Sequence, residues 1–351
     1  MSVTSKTAVL CLSHFRGGME LDALKQTNLF LSYGVDAVLI CRKNTFLEQI
    51  AKEQDIPLIS IDFKAKLSIP LIFGLRKAIK EIDINTLIFF GASEIKSIYF
   101  SVMGTNCRVI VRHGTTKSSS KKDPIHRIFY SCVSDYVGIS EHLSRNILDI
   151  LPASEGQVHT IYNSLDTNDI GFNRNSSLTF LHIGRVENGK GVIDAIKALS
   201  KAKIPIQSKV ITYVGSIEEK SVQKEIERLA LEGGVNVVFE GFCKNVSSFY
   251  SDNSFFLFPS YGEGLPNVML EAISKGLSCI TYDNTVFSEF IKLGFDGVYL
   301  AEDRNIDDLS KMIEIAYQER KGVNLEANMT RFNDVFSING NIKKWLELID
   351  G

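Results

Sequence analysis

The feature that most constrains this chain is an alternation of short apolar runs with amphipathic helical patterns, which occurs twice along the sequence. Such an alternation is typical of parallel sheets covered by helices on both faces. The first set of predicted strands is 8–12, 37–40, 58–61, 87–90, 109–111, 136–139 and 158–162. The second set is 178–183, 209–214, 235–239, 254–258, 279–282 and 298–300. The sequence therefore predicts an α/β protein with two doubly wound, Rossmann-like domains.

A polar, asparagine-rich interval, 163–177, separates the two alternations and shows no periodicity, as expected of a linker. Near the C-terminus, Phe336, Trp345 and Ile349 belong to an apolar stripe at helical spacing, which needs a surface to bury it. The predicted parts are an N-terminal domain (1–165), a linker (166–177), a C-terminal domain (178–331) and a C-terminal helix (332–351) that crosses back to the first domain.

Charge and cysteine usage exclude several classes of protein. The 351 residues include 39 basic and 41 acidic side chains, so the chain as a whole has no field that would attract nucleic acid. Its six cysteines lie far apart, without the short paired spacing of zinc or redox sites, as expected of reduced core residues. No basic start leads into an apolar segment, and no apolar stretch reaches the length of a membrane span. We expect a cytoplasmic protein, at most peripheral at a membrane.

Several catalytic motifs are absent from the sequence. It has no Asp-x-Asp pair at a strand end and no His/Cys/Asp cluster with ligand spacing, so no metal is expected. It also lacks the Gly-x-Ser-x-Gly elbow, the phosphate loop that ends in Gly-Lys-Ser/Thr, and the three-glycine dinucleotide fingerprint. These absences argue against ester hydrolysis, ATP hydrolysis and a nicotinamide cofactor.

Polar and glycine-rich segments follow the predicted strands directly, where ligands of open parallel sheets bind. Gly17 and Gly18 open a helix after the first strand and would let backbone N–H groups approach a phosphate or a sugar hydroxyl, although a simple turn is the alternative. His113, after strand 109–111, could donate a hydrogen bond to a sugar hydroxyl. A strand-end histidine satisfied within the protein is equally compatible with the sequence.

Two cations follow the first strand of the second domain. Arg185 offers a planar fork to phosphate oxygens and Lys190 a point charge, so together they could flank one diphosphate across a turn. The alternative is a pair of exposed cations on a solvated turn.

Two carboxylates, Glu263 and Glu271, have seven residues between them and flank a predicted helix start at Pro266. Proline is favoured at the first helical position, and the free N–H groups there form an anion site beside Glu263. Glu271 lies roughly 7 Å further along the helix axis at ~1.5 Å per residue. Because its neighbours are apolar, its carboxylate needs partners, and ribose hydroxyls would serve.

In this order, the motifs resemble the fourth family of retaining glycosyltransferases (glycosyltransferase group 1), which has the GT-B fold. The likeness spans nearly the whole chain. The matching motifs are Gly17-Gly18-x-Glu20, His113-Gly114, Ser140-Glu141, Asn163 to Asp166, Gly184-Arg185 with Lys190-Gly191, Gly215, and the block from Pro259 to Ala272. The resemblance implies two Rossmann-like domains facing across a cleft, the first binding the acceptor and the second the nucleotide sugar.

The resemblance also implies roles for individual residues in a metal-independent sugar transfer from a nucleoside diphosphate donor, with retention at the anomeric carbon. The predicted catalytic residues are Arg185 and Lys190 on the diphosphate, Glu263 on the donor sugar, and His113 on that sugar from the other domain. The predicted substrate-binding residues are Gly17, Gly18, Gly184, Gly215, Phe242, Gly264, Leu265, Pro266, Asn267 and, on the ribose, Glu271.

Two segments depart from the family pattern. Leu277 and Ser278 follow Gly276 where the family usually has a small residue and proline, a change that concerns entry into a strand. Residues Asn284 to Phe287 replace the glycine-rich turn expected before Glu289, close to the donor.

Two basic, amphipathic segments of the first domain suit an anionic membrane surface. They are Lys64–Lys80 and Arg112–Arg127; each cation near such a surface contributes on the order of 1 kcal/mol. A solvated loop and an ordinary packed helix are the alternative. We expect a saccharide acceptor, lipid-linked, at the inner face of the cytoplasmic membrane.

The expected function is sugar transfer in the synthesis of a bacterial-type surface polysaccharide, such as lipopolysaccharide, O-antigen, capsule or exopolysaccharide. UDP is the first expected donor nucleotide and GDP the second. One alternative is a sugar-nucleotide epimerase or hydrolase on the same architecture, which would need a further acid/base pair. The other is a non-catalytic subunit that binds sugar nucleotides.

Overall fold

A computed structural model describes residues 6–165 and 177–350, which form two compact α/β units. The first unit contains residues 6–162 and 341–350, and the second contains 163–165 and 177–340. The predicted linker, 166–177, lies outside the described residues except for Ser177.

The first unit is built on a parallel sheet of seven strands in the order β3-β2-β1-β4-β5-β6-β7. The strands are β1 (Lys6–Cys11), β2 (Ala37–Arg42), β3 (Leu58–Ile61), β4 (Ile84–Phe90), β5 (Arg108–His113), β6 (Val133–Gly138) and β7 (Val158–Thr160). The helices between them are α1 (Gly18–Ser32), α2 (Phe46–Glu53), α3 (Ile69–Glu81), α4 (Ile95–Val102), α5 (Pro124–Tyr130) and α6 (Glu141–Ile150).

Helices cover both faces of this sheet because successive side chains of a strand point to opposite faces. Along β1, Ala8 and Leu10 belong to a buried cluster with residues of α3 to α6. Val9 and Cys11 belong to a second cluster with residues of α1 and α2. With both faces buried, these strands read as continuous apolar runs, which is why the sequence pattern located them.

The second unit has a parallel sheet of six strands in the order β10-β9-β8-β11-β12-β13. The strands are β8 (Phe180–Ile183), β9 (Val210–Val214), β10 (Asn236–Gly241), β11 (Phe255–Leu257), β12 (Ser278–Asp283) and β13 (Val298–Glu302). The helices are α7 (Val192–Lys201), α8 (Lys220–Gly233), α9 (Ser247–Asp252), α10 (Asn267–Ser274), α11 (Phe287–Lys292), α12 (Ile306–Glu319) and α13 (Leu325–Phe336). Every predicted strand is present, and the predicted fold class is confirmed.

The C-terminal stripe forms two helices, α13 and α14 (Ile338–Asp350), with Ser337 extended between them. Phe336, the last residue of α13, packs against Phe295 of the second unit, with ring centroids 5.7 Å apart. In α14, Trp345 meets Phe30 of α1 edge-on at 6.0 Å, in the core of the first unit. The predicted packing against the first domain therefore belongs to α14 and begins later than residue 332.

Candidate functional site

Tightly packed glycines lie where the strands of the second sheet end. Gly184 follows β8 and its N–H donates to Val214 O, while the Gly215 N–H donates to Gly241 O. Gly215 has a φ of +153°, and a Cβ there would lie 2.0 Å from Gly184 O. Only glycine allows the main chain at position 215 to come so close to the main chain at Gly184. The two predicted residues therefore form a close main-chain contact at the strand ends.

The turn that carries Lys190 is fixed to the segment that carries Glu263. The Tyr261 N–H donates to Gly189 O at 3.0 Å. Gly191 has a φ of +65°, and a Cβ on it would lie 1.8 Å from Pro259 O. Two strand-end segments, far apart in sequence, are thereby held together.

Lys190 and Glu263 form an ion pair. The Lys190 Nζ lies 2.6 Å from Glu263 Oε1, and the same oxygen accepts a hydrogen bond from Ser260 Oγ at 2.7 Å. Both charged side chains are largely buried, with exposed fractions of 20% and 15%. The structure therefore brings these two predicted catalytic residues into contact, and Ser260 is a partner that the sequence analysis missed.

Arg185 lies apart from this pair. Its Nη2 is 2.9 Å from Glu187 Oε1, and its side chain is 59% exposed. Such an exposed pair contributes little to stability, so Arg185 can exchange Glu187 for an anion at low cost.

The atypical segment Asn284–Phe287 contacts Glu263 directly. The Glu263 N–H donates to Thr285 Oγ1 at 3.1 Å. Thr285 has a φ of +44°, the left-handed conformation that a glycine would adopt more easily. Asn284 Nδ2 donates to Ser260 O and to Asp303 Oδ1. This turn has no glycine and is held instead by hydrogen bonds of its side chains. Two of these hydrogen bonds join it to the Ser260–Glu263 segment.

Helix α10 begins at Asn267, and Pro266 is its extended N-cap instead of its first helical residue, one position from the prediction. Within this helix, Glu271 Oε2 accepts a hydrogen bond from Tyr250 OH at 2.8 Å. Burial, together with the Glu271 carboxylate, raises the pKa of Tyr250 well above its usual value, so its hydroxyl keeps the proton. The expected need of Glu271 for a partner is met by Tyr250 of α9, which the sequence analysis did not identify.

The remaining predicted residues of the second unit surround the start of α10 or follow β10. Gly264 and Leu265 are buried just before the helix. Asn267 Oδ1 accepts a hydrogen bond from Asn163 Nδ2 at 2.9 Å. Phe242 follows β10 and is exposed.

Gly17 and Gly18 open α1 of the first unit, as predicted. Gly17 is the N-cap, in an extended conformation. A Cβ added at Gly18 would meet nothing within 4 Å. The first turn of α1 therefore has open space beside its backbone, but neither glycine is required by a left-handed φ.

His113 ends β5 and is buried. Its Nε2 lies 3.3 Å from Asn146 Oδ1, and the Asn146 amide is oriented by Lys117, whose N–H and C=O it also binds. Burial lowers the pKa of His113 to about 4, so the ring is neutral near pH 7. Because Nε2 donates to Asn146, Nδ1 is left as an acceptor. His113 therefore offers an acceptor where the sequence analysis expected a donor, and its contact with a sugar stays a prediction.

The two basic segments of the first unit are mixed in character. Arg112 is buried, and its Nη2 lies 2.9 Å from Asp22 Oδ2, so this cation does not belong to the proposed membrane surface. Leu71 and Leu75 are core residues, whereas Ile69 and Phe73 are 68% and 67% exposed. None of the helices in the described part of the chain is both long and apolar enough to cross a membrane. No three His, Cys, Asp or Glu side chains among residues 6–165 and 177–350 form a group that could hold a metal ion.

Residues 167–333 match the family model described as glycosyl transferases group 1. The capsular polysaccharide biosynthesis glycosyltransferase CapM of Staphylococcus aureus is 24% identical over 206 residues, which is 54% of this chain and 54% of that protein. The chain therefore spans about half the length of this curated relative.

Solved glycosyltransferase structures share the fold over nearly the whole chain. A glycosyltransferase from Rickettsia africae superposes with a TM-score of 0.86, at 15% identity, over 98% of this chain and 97% of its own. Anabaena Alr3699/HepE in complex with UDP-glucose superposes with a TM-score of 0.79, also at 15% identity, over 98% of this chain and 99% of its own. At such identities the likeness shows the fold, which is the GT-B architecture of two Rossmann-like domains.

Proposed function

We propose that this chain is a retaining glycosyltransferase that moves a sugar from a nucleoside diphosphate donor to a saccharide acceptor. The observation that carries the proposal is the contact of Lys190 with Glu263 at the strand ends of a group 1 domain. A cation fixed beside a carboxylate suits a ligand with a charged diphosphate next to a sugar rich in hydroxyls.

The donor nucleotide is UDP, with GDP as the second choice. The fold shared with Alr3699/HepE, which was solved with UDP-glucose, supports this choice. Lys190 and Arg185 bind the diphosphate. Glu263 accepts hydrogen bonds from hydroxyls of the donor sugar, and Glu271, oriented by Tyr250, accepts hydrogen bonds from the ribose hydroxyls. His113 accepts a hydrogen bond from a saccharide hydroxyl through Nδ1. Backbone N–H groups at Gly17 and Gly18 of the first unit, and separately at the start of α10 in the second unit, bind phosphate or hydroxyl groups of the substrates.

In the reaction, the bond between the anomeric carbon and the β-phosphate oxygen breaks, and the acceptor oxygen bonds to that carbon on the same face. The acceptor proton moves to the departing phosphate. Lys190 and Arg185 stabilise the negative charge that develops on the leaving group, which is the main catalytic contribution of the protein. The proposed reaction needs no metal.

The acceptor is a lipid-linked saccharide at the inner face of the cytoplasmic membrane, in the synthesis of a surface polysaccharide. The name of CapM, a capsular polysaccharide biosynthesis glycosyltransferase, supports the process. The exposed apolar side chains Ile69, Phe73, Ile125 and Ile128, set among cations, support a peripheral membrane location.

The decisive experiment screens UDP-, GDP-, ADP- and TDP-sugars for thermal stabilisation and then measures turnover with and without EDTA. Lys190→Ala and Arg185→Ala should each lower turnover at least tenfold, while Lys201→Ala, which removes a surface ion pair with Asp307, should not. Wild-type turnover in either of the first two variants would contradict the assignment. Donor turnover without an acceptor would indicate a hydrolase, and donor binding without turnover a binding subunit.

A further inference from the structure

An open pocket of about 510 Å³ lies at the carboxyl edge of the first sheet, where β1, β2 and β3 end side by side. Its lining includes His14 after β1, Arg42 and Lys43 at the end of β2, and Phe63 and Lys64 after β3. Ligands of open parallel sheets bind at this edge, and small-molecule sites typically measure roughly 300–1,000 Å³. The residues of this pocket have no role in the function proposed above.

The lining is strongly cationic. Arg42, Lys43 and Lys64 face a single lining carboxylate, that of Asp62. Glu94, at the start of α4, attracts Arg42 electrostatically, but the two side chains do not form an ion pair. In the part of the chain that the structure describes, none of the three cations forms an ion pair within 4.0 Å. An anion in the pocket would relieve their mutual repulsion.

The pocket is held in shape by the surrounding protein. The Arg42 guanidinium lies over the Phe63 ring, 4.7 Å from its centroid, which orients its hydrogen-bond donors. Thr45 Oγ1 donates to Arg42 O at 2.8 Å. Glu48 Oε1 accepts from Ser60 Oγ at 2.8 Å and so joins the segment after β2 to β3. The Glu48 charge is already bound by Lys52 and does not neutralise the pocket.

We propose that this pocket binds a phosphate or diphosphate group of the acceptor. Three cations, one of them a planar fork, match the charge and geometry of a diphosphate better than those of one carboxylate. The chain then runs from Lys64 into Leu67, Ile69 and Phe73, all exposed, which would accommodate an apolar tail attached to the phosphate. That the anion belongs to the acceptor rests on the proposed function, whereas anion binding in the pocket does not.

Calorimetric titration of the full chain with inorganic pyrophosphate and with farnesyl diphosphate tests the site, in the presence of saturating UDP to occupy the donor site. We expect salt-dependent binding that weakens at least tenfold in Arg42→Ala/Lys64→Ala. The control is Lys6→Ala, which removes a cation at the opposite end of β1 that pairs with Asp36. Thermal unfolding verifies that each variant folds.

The two diphosphates distinguish the source of the anion. Tighter binding of farnesyl diphosphate, reduced to that of pyrophosphate in Ile69→Ser/Phe73→Ser, indicates a lipid headgroup, and equal binding of both indicates a water-soluble phosphate ester. Equal binding by wild type and Arg42→Ala/Lys64→Ala, or no binding to wild type, would overturn the proposal. If UDP itself does not bind, the proposed function fails, but the same titrations without UDP still test the pocket.

Discussion

At the scale of single residues, three side chains hold the motif glutamates in place: Tyr250 and Thr285 lie outside the motif block, and Ser260 lies within it. The Glu271 carboxylate accepts a hydrogen bond from Tyr250, 21 residues earlier, and the Glu263 carboxylate accepts one from Ser260. The main-chain N–H of Glu263 donates to Thr285, 22 residues later. Tyr250 and Ser260 orient the carboxylates, and Thr285 holds the main chain at Glu263; none of the three is expected to touch the reacting atoms. They are positioning residues, and their removal should change substrate affinity more than the chemical step.

Tyr250→Phe should weaken UDP binding by roughly tenfold, because a hydrogen bond to a charged group contributes about 1.5–3 kcal/mol. The value of kcat should change less than the value of KM. Tyr317→Phe is the matched control, since it removes a tyrosine hydroxyl that forms a hydrogen bond with Ser208. Ser208 lies before the start of β9, away from the carboxyl ends of the strands. Titration calorimetry with UDP and steady-state kinetics make the comparison; equal UDP affinity in the Tyr250 variant and wild type would remove its assigned role.

His182 makes stability depend on pH. It is fully buried in β8, and burial lowers its pKa from 6.5 to about 3. Below pH 6.5, His182 binds a proton in the unfolded chain but stays neutral in the folded chain. The stability that is present above pH 6.5 is therefore lost progressively as the pH falls to about 3. The loss at pH 5 is about 2 kcal/mol from this residue.

In His182→Phe, an aromatic ring still packs against Tyr213 and Phe258. The difference in unfolding free energy between pH 7 and pH 5 should be smaller than in wild type by about 2 kcal/mol. Urea denaturation at the two pH values measures it. An unchanged difference would mean that the imidazole is protonated in the folded state or reached by solvent.

At the scale of elements, the sequence was sufficient where one local signal dominates. Strands such as β4 and β11 are apolar on both faces, so their composition alone located them. The break between α13 and α14 was missed because the apolar spacing continues across Ser337, although the side chains on its two sides pack into different units. The pairing of Lys190 with Glu263 was also missed, since it depends on how two distant segments meet.

Gly191 fixes that meeting of segments. An alanine there would need a left-handed φ and would place its Cβ 1.8 Å from Pro259 O, so the Lys190 turn must move away. We expect Gly191→Ala to lose at least about 2 kcal/mol of stability and most donor affinity. Gly189→Ala is the matched control in the same turn, because a Cβ there meets nothing within 4 Å. Thermal unfolding with and without UDP should separate the two variants, and equal behaviour would show that the turn adapts freely.

At the scale of the whole molecule, the net charge of −2 gives no attraction to an anionic surface, so any membrane binding has to be local. The sequence predicts two candidate segments for such a surface, Lys64–Lys80 and Arg112–Arg127, but does not tell which of their side chains are exposed. Arg112 is buried against Asp22, and Arg76 is held by main-chain carbonyls at the end of α4, including Met103 O at 2.8 Å. The remaining surface combines exposed apolar side chains with exposed lysines, such as Lys64 and Lys77.

The apolar part of this surface should therefore decide vesicle binding, with charge adding a salt-dependent contribution. Ile69→Ser/Phe73→Ser should lower co-sedimentation with vesicles rich in anionic lipid at least fivefold, because both side chains are about two-thirds exposed and would enter the lipid interface. Leu231→Ser provides the control: Leu231 is an apolar side chain of α8 with 86% exposure, in the second unit. Binding that ignores anionic lipid content, or that falls equally in the control, would indicate that the exposed side chains of α3 have another role.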